Sequence, residues 1–371
     1  MPALAVADAL RADGAEVEFI GAGRAEAELV PAAGYPLHEI SVEGLSRSNP
    51  LLALRALWRA ALAAPRARKL LRELCPDAVM GGGGYVAGPV ALAALTLRVP
   101  IVLTEADSHI GLTNRLLAPF AARVCLAFPP DLSNGGKPVG ATPRRSLLDR
   151  LRGHGPPALL LRRKRARRSK RYRVTGRPVP DVARDGASAR ERLGIGAEET
   201  CVVVFGGSLG ARSINRAAAE AFAGSEFRVL HISGRRDYGE LSSRALPSGY
   251  DLREYLEQED FADALAAADL AVARSGGSVF EIAAHGVPAV LVPYPHASGD
   301  HQSANARWMS DAGAAVVIAD DQLTAAGLAR QVAALLADRT GLATMAAASR
   351  ALARPNAARE IAAELLAVAR G

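Results

Sequence analysis

The sequence predicts two doubly wound α/β domains. Three observations carry that prediction. Short apolar segments alternate with amphipathic helices along almost the whole chain. Two of those segments in the second half end in glycine turns that lead into helices. A Pro-, Gly- and Arg-rich stretch without a sustained period divides the chain between Phe128 and Val174. Continuous apolar strands separated by helices belong to parallel sheets covered on both faces. A chain of 371 residues has room for two such domains.

Composition excludes several classes. Half of the residues are hydrophobic and 5% are aromatic, as in soluble globular proteins. No run of eighteen uncharged apolar residues occurs, so no membrane span is expected. No charged leader, apolar core and cleavage site precede the first helix, so export is not expected either. Cys75, Cys125 and Cys201 lie far apart in apolar strands or at helix ends, which reads as buried free thiols in a reducing compartment. The net charge of +7 is concentrated. "RRKRARRSKR", Arg162 to Arg171, holds eight basic residues and no acidic one, which leaves the remainder near neutral.

The first element is a helix. Pro2 suits a first turn, Leu4, Val6 and Leu10 give an apolar face, and Gly14 supplies the stop. "EVEFIG" (16–21) follows as a strand. Parallel architecture requires a strand on each side of such a helix, so the sequence is expected to lack its first strand. Further strands are "PDAVMG" (76–81), "IVLTEA" (101–106) and "RVCLAFP" (123–129). Between them runs a long helix over residues 49–74. Its Leu51, Leu54, Trp58 and Leu62 share a face flanked by Arg55, Arg59, Arg66 and Arg68. That pattern fits either a membrane interface or an ordinary packed helix.

The expected boundaries are 1–129 for the first domain, 130–171 for a basic, disordered insert, 172–352 for the second domain, and 353–371 for a helix returning across the junction. The insert reads as a solvated loop, with anionic lipid, another polyanion or a nuclear address as alternatives. Second-domain strands are "YRVTG" (172–176), "TCVVVFGG" (200–207), "FRVLHISG" (227–234), "DLAVARSG" (269–276), "PAVLVPY" (288–294) and "AAVVIAD" (314–320).

Chemistry concentrates at strand ends. In "VVVFGGSLGARSIN" a buried strand ends in Gly206-Gly207-Ser208 and a helix begins near Ala211. Small residues there let backbone N–H groups approach an anion at the positive helix end, and Ser208 adds a hydroxyl. Gly206-Gly207-Ser208-Leu209-Gly210 also satisfies the G-x-S-x-G nucleophile elbow. A second glycine turn, Ser275-Gly276-Gly277-Ser278, weighs against the hydrolase, because a nucleotide diphosphate uses two such turns and a hydrolase one. Glu281 follows one helical turn later, placed to accept from vicinal ribose hydroxyls. Arg274 and Asp269 read as strand-end structure. In "PHASGDHQSANARW", Gln302 and Asn305 share a helix face suited to hydroxyl-rich ligands. A metal at His296, Asp300 and His301 is the poorer reading.

In the first half Gly81 to Gly84 separate a strand from a helix, and Gly82-x-Gly84-x-x-Ala87 with Glu105 also fits a dinucleotide fingerprint. "TEADSHIGLTNRLLAPFA" then places Glu105, Asp107, His109 and Asn114 at a strand end and helix start. Glu105 or Asp107 could serve as a base or orient one.

Taken together, "GGGGYVAGPVALAA", "GLTNRLLAPFA", "VFGGSLGARSIN", "ADLAVARSGGSVFEIAAHGVPAVLVPYPHA" and "DHQSANA", in that order, resemble the MurG family, N-acetylglucosaminyltransferases that convert lipid I to lipid II. The resemblance implies the GT-B fold, two Rossmann-like domains with a cleft between. It implies inverting transfer from UDP-N-acetylglucosamine to the 4-hydroxyl of N-acetylmuramic acid in lipid I, without metal, cofactor or nucleic acid. It places the work at the anionic, cytoplasmic face of the bacterial membrane. The donor residues it implies are Ser208 on the diphosphate, Leu256 on uracil, Gly277, Ser278, Val279 and Phe280 in the second turn, Glu281 on the ribose, and Gln302 on the sugar. In the first half Glu105 and Asn114 match family positions; Asp107 stands where the family has another residue, and it could still accept a hydroxyl proton.

The sequence departs from the family pattern at Ala106-Asp107, where Gln-Asn is usual, at Pro180 for a donor-side arginine, and at His301 for a glutamine. The second glycine loop is one residue short. The family's first strand and "GGTGGH"-like loop precede "PALA", so both are expected to be missing ahead of "MPALA". Two alternatives remain: another UDP-sugar enzyme, such as a diacylglycerol glycosyltransferase or an epimerase, and an inactive UDP-sugar-binding protein.

Overall fold

The computed structural model describes residues 2–23, 25–40, 63–129, 171–179, 185–207 and 210–371. The chain divides into two compact units, Met1–Pro178 with Asn356–Gly371, and Val179–Pro355.

The first unit carries a two-stranded and a four-stranded parallel sheet. β1 (Phe19–Gly21) pairs with β2 (Leu37–Glu39). β3 (Val79–Gly81), β4 (Ile101–Glu105), β5 (Arg123–Leu126) and β6 (Tyr172–Val174) pair in that order. Among the described residues no ladder joins the two sheets.

Strand alternation sorts the core. Ile101, Leu103, Val124 and Leu126 face α3 (Gly84–Leu97), whose Val90, Ala91 and Ala94 pack on them together with Ala67 and Leu71 of the helical residues 63–74. Val102 and Cys125 face the opposite way. They are covered by Val6 of α1 (Pro2–Ala12) and by Ile361, Ala362 and Leu365 of α13 (Ala357–Ala369). Between these lie α2 (Ala25–Ala32) beside β1 and α4 (Leu112–Leu117) after β4.

The second unit is one six-stranded parallel sheet in the order β12-β11-β10-β7-β8-β9. The strands are β7 (Cys201–Phe205), β8 (Arg228–Ile232), β9 (Tyr250–Arg253), β10 (Leu270–Ala273), β11 (Ala289–Leu291) and β12 (Ala315–Val317). The winding reverses between β7 and β10, where Val203 pairs with Leu230 on one side and Ala271 on the other. Such a switch point opens a crevice at the carboxyl ends of the strands. Helices α5 (Gly186–Arg192), α6 (Arg212–Ala221), α7 (Tyr238–Ser242), α8 (Gln258–Ala267), α9 (Val279–His285), α10 (His301–Asp311), α11 (Ala325–Ala337) and α12 (Arg339–Leu352) complete the unit. Val202, Val204, Val272 and Val290 pack on Ile214 and Ala218 of α6, on Phe222 just after it, and on Leu328 and Val332 of α11.

Several expectations need correction. "YRVTG" is not the first strand of the second domain: Tyr172, Arg173 and Val174 pair with Val124, Cys125 and Leu126. The basic insert therefore interrupts the first sheet, and the division falls after Pro178. Apolar content announces a strand but not the sheet it joins. β2 and β9 went unexpected, since each is short and polar in part and pairs with a single neighbour. Cys75 is exposed at a helix end, whereas Cys125 and Cys201 are buried free thiols. The insert at 130–170, Leu51, Leu54, Trp58, Leu62 and Pro180 lie outside the described residues, while Arg171 donates to Ala118 O and Pro119 O.

Candidate functional site

The first constellation sits at the carboxyl end of β4. Glu105 is the last residue of that strand, and its carboxylate accepts from three N–H groups. Oε2 accepts from the Gly111 N–H at 2.8 Å and from Asn114 Nδ2 at 3.0 Å, and Oε1 accepts from the Asp107 N–H at 3.4 Å. Asn114 Nδ2 also donates to Thr104 O at 3.0 Å. Asn114 is buried, and its Oδ1 has no hydrogen-bond partner among the described residues. Burial raises the Glu105 pKa, and the donors from Gly111, Asn114 and Asp107 pull it back in part. Asp107 is half-buried in the turn that Glu105 braces, and His109 is exposed. So Glu105, Asp107 and Asn114 are brought together, with Glu105 shaping the turn.

Beside them the glycines after β3 open α3. Gly83 caps that helix at φ 78°, and no side chain caps it. An ideal Cβ on Gly83 would lie 3.6 Å from Asn114 Nδ2, which puts the glycine turn next to the Glu105 cluster.

The second unit carries the remaining candidates along the carboxyl edge of its sheet. Gly206 follows β7 directly, and a Cβ there would strike Ala211. Gly210 has φ 76°, and a Cβ on it would strike Ser233 O. The turn thus requires glycine at both positions. Ser208, expected on a diphosphate, lies outside the described residues. α6 begins at Arg212 with no side-chain cap, so its first-turn N–H groups point to the turn.

A buried network that sequence reasoning missed supports this turn. Asn215 Nδ2 donates to Ser233 O at 2.8 Å and to Asp237 Oδ2 at 2.9 Å. Asn215 Oδ1 can only accept, so His231 Nε2, at 3.1 Å, carries the proton. His231 Nδ1 then accepts from the Tyr250 hydroxyl at 2.6 Å. Burial pushes the His231 pKa down to about 4, which keeps the imidazole neutral. The signals available were Asn215 inside "RSIN" and a histidine in an apolar strand.

Gly277 and Ser278 form the turn after β10, and Val279, Phe280 and Glu281 open α9. The Val279 and Phe280 side chains are buried, Phe280 with its ring centroid 5.0 Å from that of Trp308. These two residues can present only backbone to a ligand. Glu281 is half-exposed at this edge. Gln302 lies in the first turn of α10; its Oε1 accepts from the Tyr294 N–H at 2.9 Å, and its carbonyl accepts from Ser275 Oγ at 2.8 Å. Asn305, one turn on, donates to Ser275 O at 2.9 Å. Leu256 is half-buried in the loop between β9 and α8. Among the described residues no group of three His, Cys, Asp or Glu could hold a metal ion.

Comparison with known proteins gives the family. The glycosyltransferase family 28 N-terminal domain matches residues 1–126 and the family 28 C-terminal domain residues 201–364. A protein from Moorella thermoacetica named UDP-N-acetylglucosamine–N-acetylmuramyl-(pentapeptide) pyrophosphoryl-undecaprenol N-acetylglucosamine transferase is 39% identical, covering 96% of this chain and 92% of its own. A protein of the same name from Rubrobacter xylanophilus is also 39% identical, over 98% and 99%. The chain belongs to the MurG family. The crystal structure of Acinetobacter baumannii MurG matches with a TM-score of 0.72 at 28% identity, over 99% of this chain and 95% of that one. The calicheamicin glycosyltransferase CalG4 (TM-score 0.65, 18% identity) shares the fold alone. MurG membership fixes the fold as GT-B and the chain as a glycosyltransferase, and it disfavours the epimerase and the diacylglycerol transferase.

Proposed function

We propose that this MurG-family chain transfers N-acetylglucosamine from UDP-N-acetylglucosamine to the 4-hydroxyl of N-acetylmuramic acid in lipid I, forming lipid II. One observation carries the reading. Each unit follows a strand with a glycine turn that opens a helix without a side-chain cap, Gly82 and Gly83 before α3 and Gly206 to Gly210 before α6. Both substrates of the reaction carry a diphosphate, and each turn offers one of them backbone N–H groups at a positive helix end.

In this reading the second unit holds the donor. The Gly206–Gly210 turn, with Ser208, receives the diphosphate. The Gly277–Ser278 turn and the backbone of Val279 and Phe280 line its other side. Glu281 accepts from the ribose, Gln302 from the sugar, and the Leu256 backbone meets uracil.

The first unit holds the acceptor. Its 4-hydroxyl oxygen attacks the anomeric carbon from the face opposite the leaving group. The bond from that carbon to the phosphate oxygen breaks, UDP departs with the electron pair, and the configuration inverts. Asp107 takes the hydroxyl proton. Glu105, committed to three N–H groups, holds the turn that presents Asp107, and Asn114 holds Glu105. The leaving diphosphate is stabilised by oriented N–H dipoles.

The place of action is the cytoplasmic face of the membrane, held peripherally. Leu112, Leu116 and Phe120 follow one another every four residues through α4 and the turn after it, and are 57%, 65% and 64% exposed. Leu92 on the neighbouring α3 is 50% exposed, and Arg115 stands on α4. Apolar side chains beside basic ones suit an anionic lipid surface. Among the described residues no helix is long and apolar enough to cross a membrane.

The test is a radiolabelled UDP-N-acetylglucosamine assay with lipid I or diacylglycerol in mixed micelles. Labelled lipid II with inverted anomeric configuration is the expected product. Label in diacylglycerol, or in neither lipid, would overturn the proposal.

A further inference from the structure

Arg274 follows β10 directly and is 9% exposed. An ionised guanidinium this deep requires partners, and its partners come from neighbouring loops rather than from its own strand. Nη1 donates to Val292 O and Pro293 O, both at 3.1 Å, and to Asp320 Oδ1 at 2.6 Å. Nη2 donates to Ser213 Oγ at 2.8 Å, and Ser213 Oγ donates in turn to Asp320 Oδ1 at 2.6 Å. The three side chains close a ring of charge-assisted bonds.

Every partner lies at the carboxyl edge of the sheet. Ser213 is in the first turn of α6, which closes the Gly206–Gly210 turn after β7. Val292 and Pro293 follow β11, and Asp320 follows β12. The guanidinium carbon also stands 5.4 Å from the centre of the Tyr294 ring, and the Tyr294 N–H is what holds Gln302 Oε1. Gln302 in turn accepts from Ser275, the residue after Arg274. A set of contacts therefore runs from the first turn of α6 across the switch point to Gln302.

We propose that Arg274, with Ser213 and Asp320, is a positioning residue that locks the start of α6, the turn after β10 and Gln302 into one donor-binding geometry. Its side chain is too enclosed to act on the sugar. It works by removing the freedom that donor binding would otherwise have to freeze. The inference rests on the second unit being the donor site, as proposed above.

Steady-state kinetics of the full chain with Ser213→Ala, Asp320→Asn and Arg274→Lys test it. Ser213→Ala is the mildest, since it removes one hydroxyl and leaves the Arg274–Asp320 pair. The expected result is a KM for UDP-N-acetylglucosamine raised about tenfold or more, the scale of one hydrogen bond to a charged group. The KM for lipid I should stay within about twofold by the same arithmetic. Ser213→Ala combined with Asp320→Asn should raise the donor KM by less than the product of the single effects, as for groups in one network. Should Arg274→Lys fail to fold, Ser213→Ala decides alone. An unchanged donor KM in folded Ser213→Ala, or parallel rises in both KM values, would overturn the clamp and leave the transferase reading standing. Absence of donor affinity in the unaltered chain would overturn both.

Discussion

Asn114 Nδ2 and Glu105 Oε2 stand 3.0 Å apart, and that contact separates two carboxylates that the sequence offers as equals. Glu105 has its oxygens occupied by protein donors; Asp107 sits on the turn those donors define. Asp107→Asn should lower kcat by about 10²–10⁴, the range for a lost general base, with the melting temperature little changed. Glu105→Gln should act mainly on the fold of the turn, since an amide NH₂ would oppose one of the N–H donors. A cost of about 1–3 kcal/mol is expected, read by urea denaturation. A kcat loss confined to Glu105→Gln would reverse the roles.

Burial of Glu105 also has a pH signature. Its folded pKa lies above the ordinary value, so the folded state holds the proton more tightly than the unfolded chain. Its contribution to stability is complete below the ordinary carboxylate range and is lost as pH rises through the raised value. Glu105→Gln should remove that loss. Denaturation of both proteins across the acid range measures the difference.

His231 works in the opposite sense. With its pKa pushed down from 6.5 to about 4, the folded state binds fewer protons than the unfolded chain between those values. Its contribution is complete above pH 6.5 and is lost as pH falls towards 4, with about 2 kcal/mol gone by pH 5. Urea midpoints at neutral pH and at pH 5 should therefore differ more in the unaltered chain than in His231→Gln.

Gly210→Ala should destabilise the second unit. The residue sits at φ 76°, and the added methyl would meet Ser233 O. A left-handed non-glycine residue costs about 1–3 kcal/mol before that clash is counted. Donor affinity should fall together with stability, because the turn itself must move. Calorimetric titration with UDP measures it.

Leu116→Asp and Phe120→Ser should release the chain from vesicles containing phosphatidylglycerol. Burying one such side chain is worth about 1.5–3 kcal/mol, so each change should weaken partitioning roughly tenfold or more. Both residues are exposed, and thermal stability should hold. Flotation that stays unchanged would remove this face from the membrane.

The parallel sheets, the helices at the glycine turns and the placing of Gly277 to Glu281 were legible, because apolar runs and glycine punctuation are local signals. The sheet to which Tyr172–Val174 belongs was not, since pairing across the insert is a long-range choice between edges that look alike in sequence. The division of labour between Glu105 and Asp107 was equally hidden. It depends on where Gly111 and Asn114 aim their N–H groups. Arg274 was read as strand-end structure; which loops it joins is set by β11 and β12, far along the chain. The apolar face at Leu112, Leu116 and Phe120 was passed over for residues 51–62, where tryptophan and arginine make a louder pattern.

The return of α13 to the first unit sets an order of assembly. Residues 357–369 leave the ribosome after everything they cover, including Val6 and Val102. While the chain is being made, the second unit can close first. The earlier-synthesised one must wait, with an oily flank open to chaperones, until α13 itself has emerged.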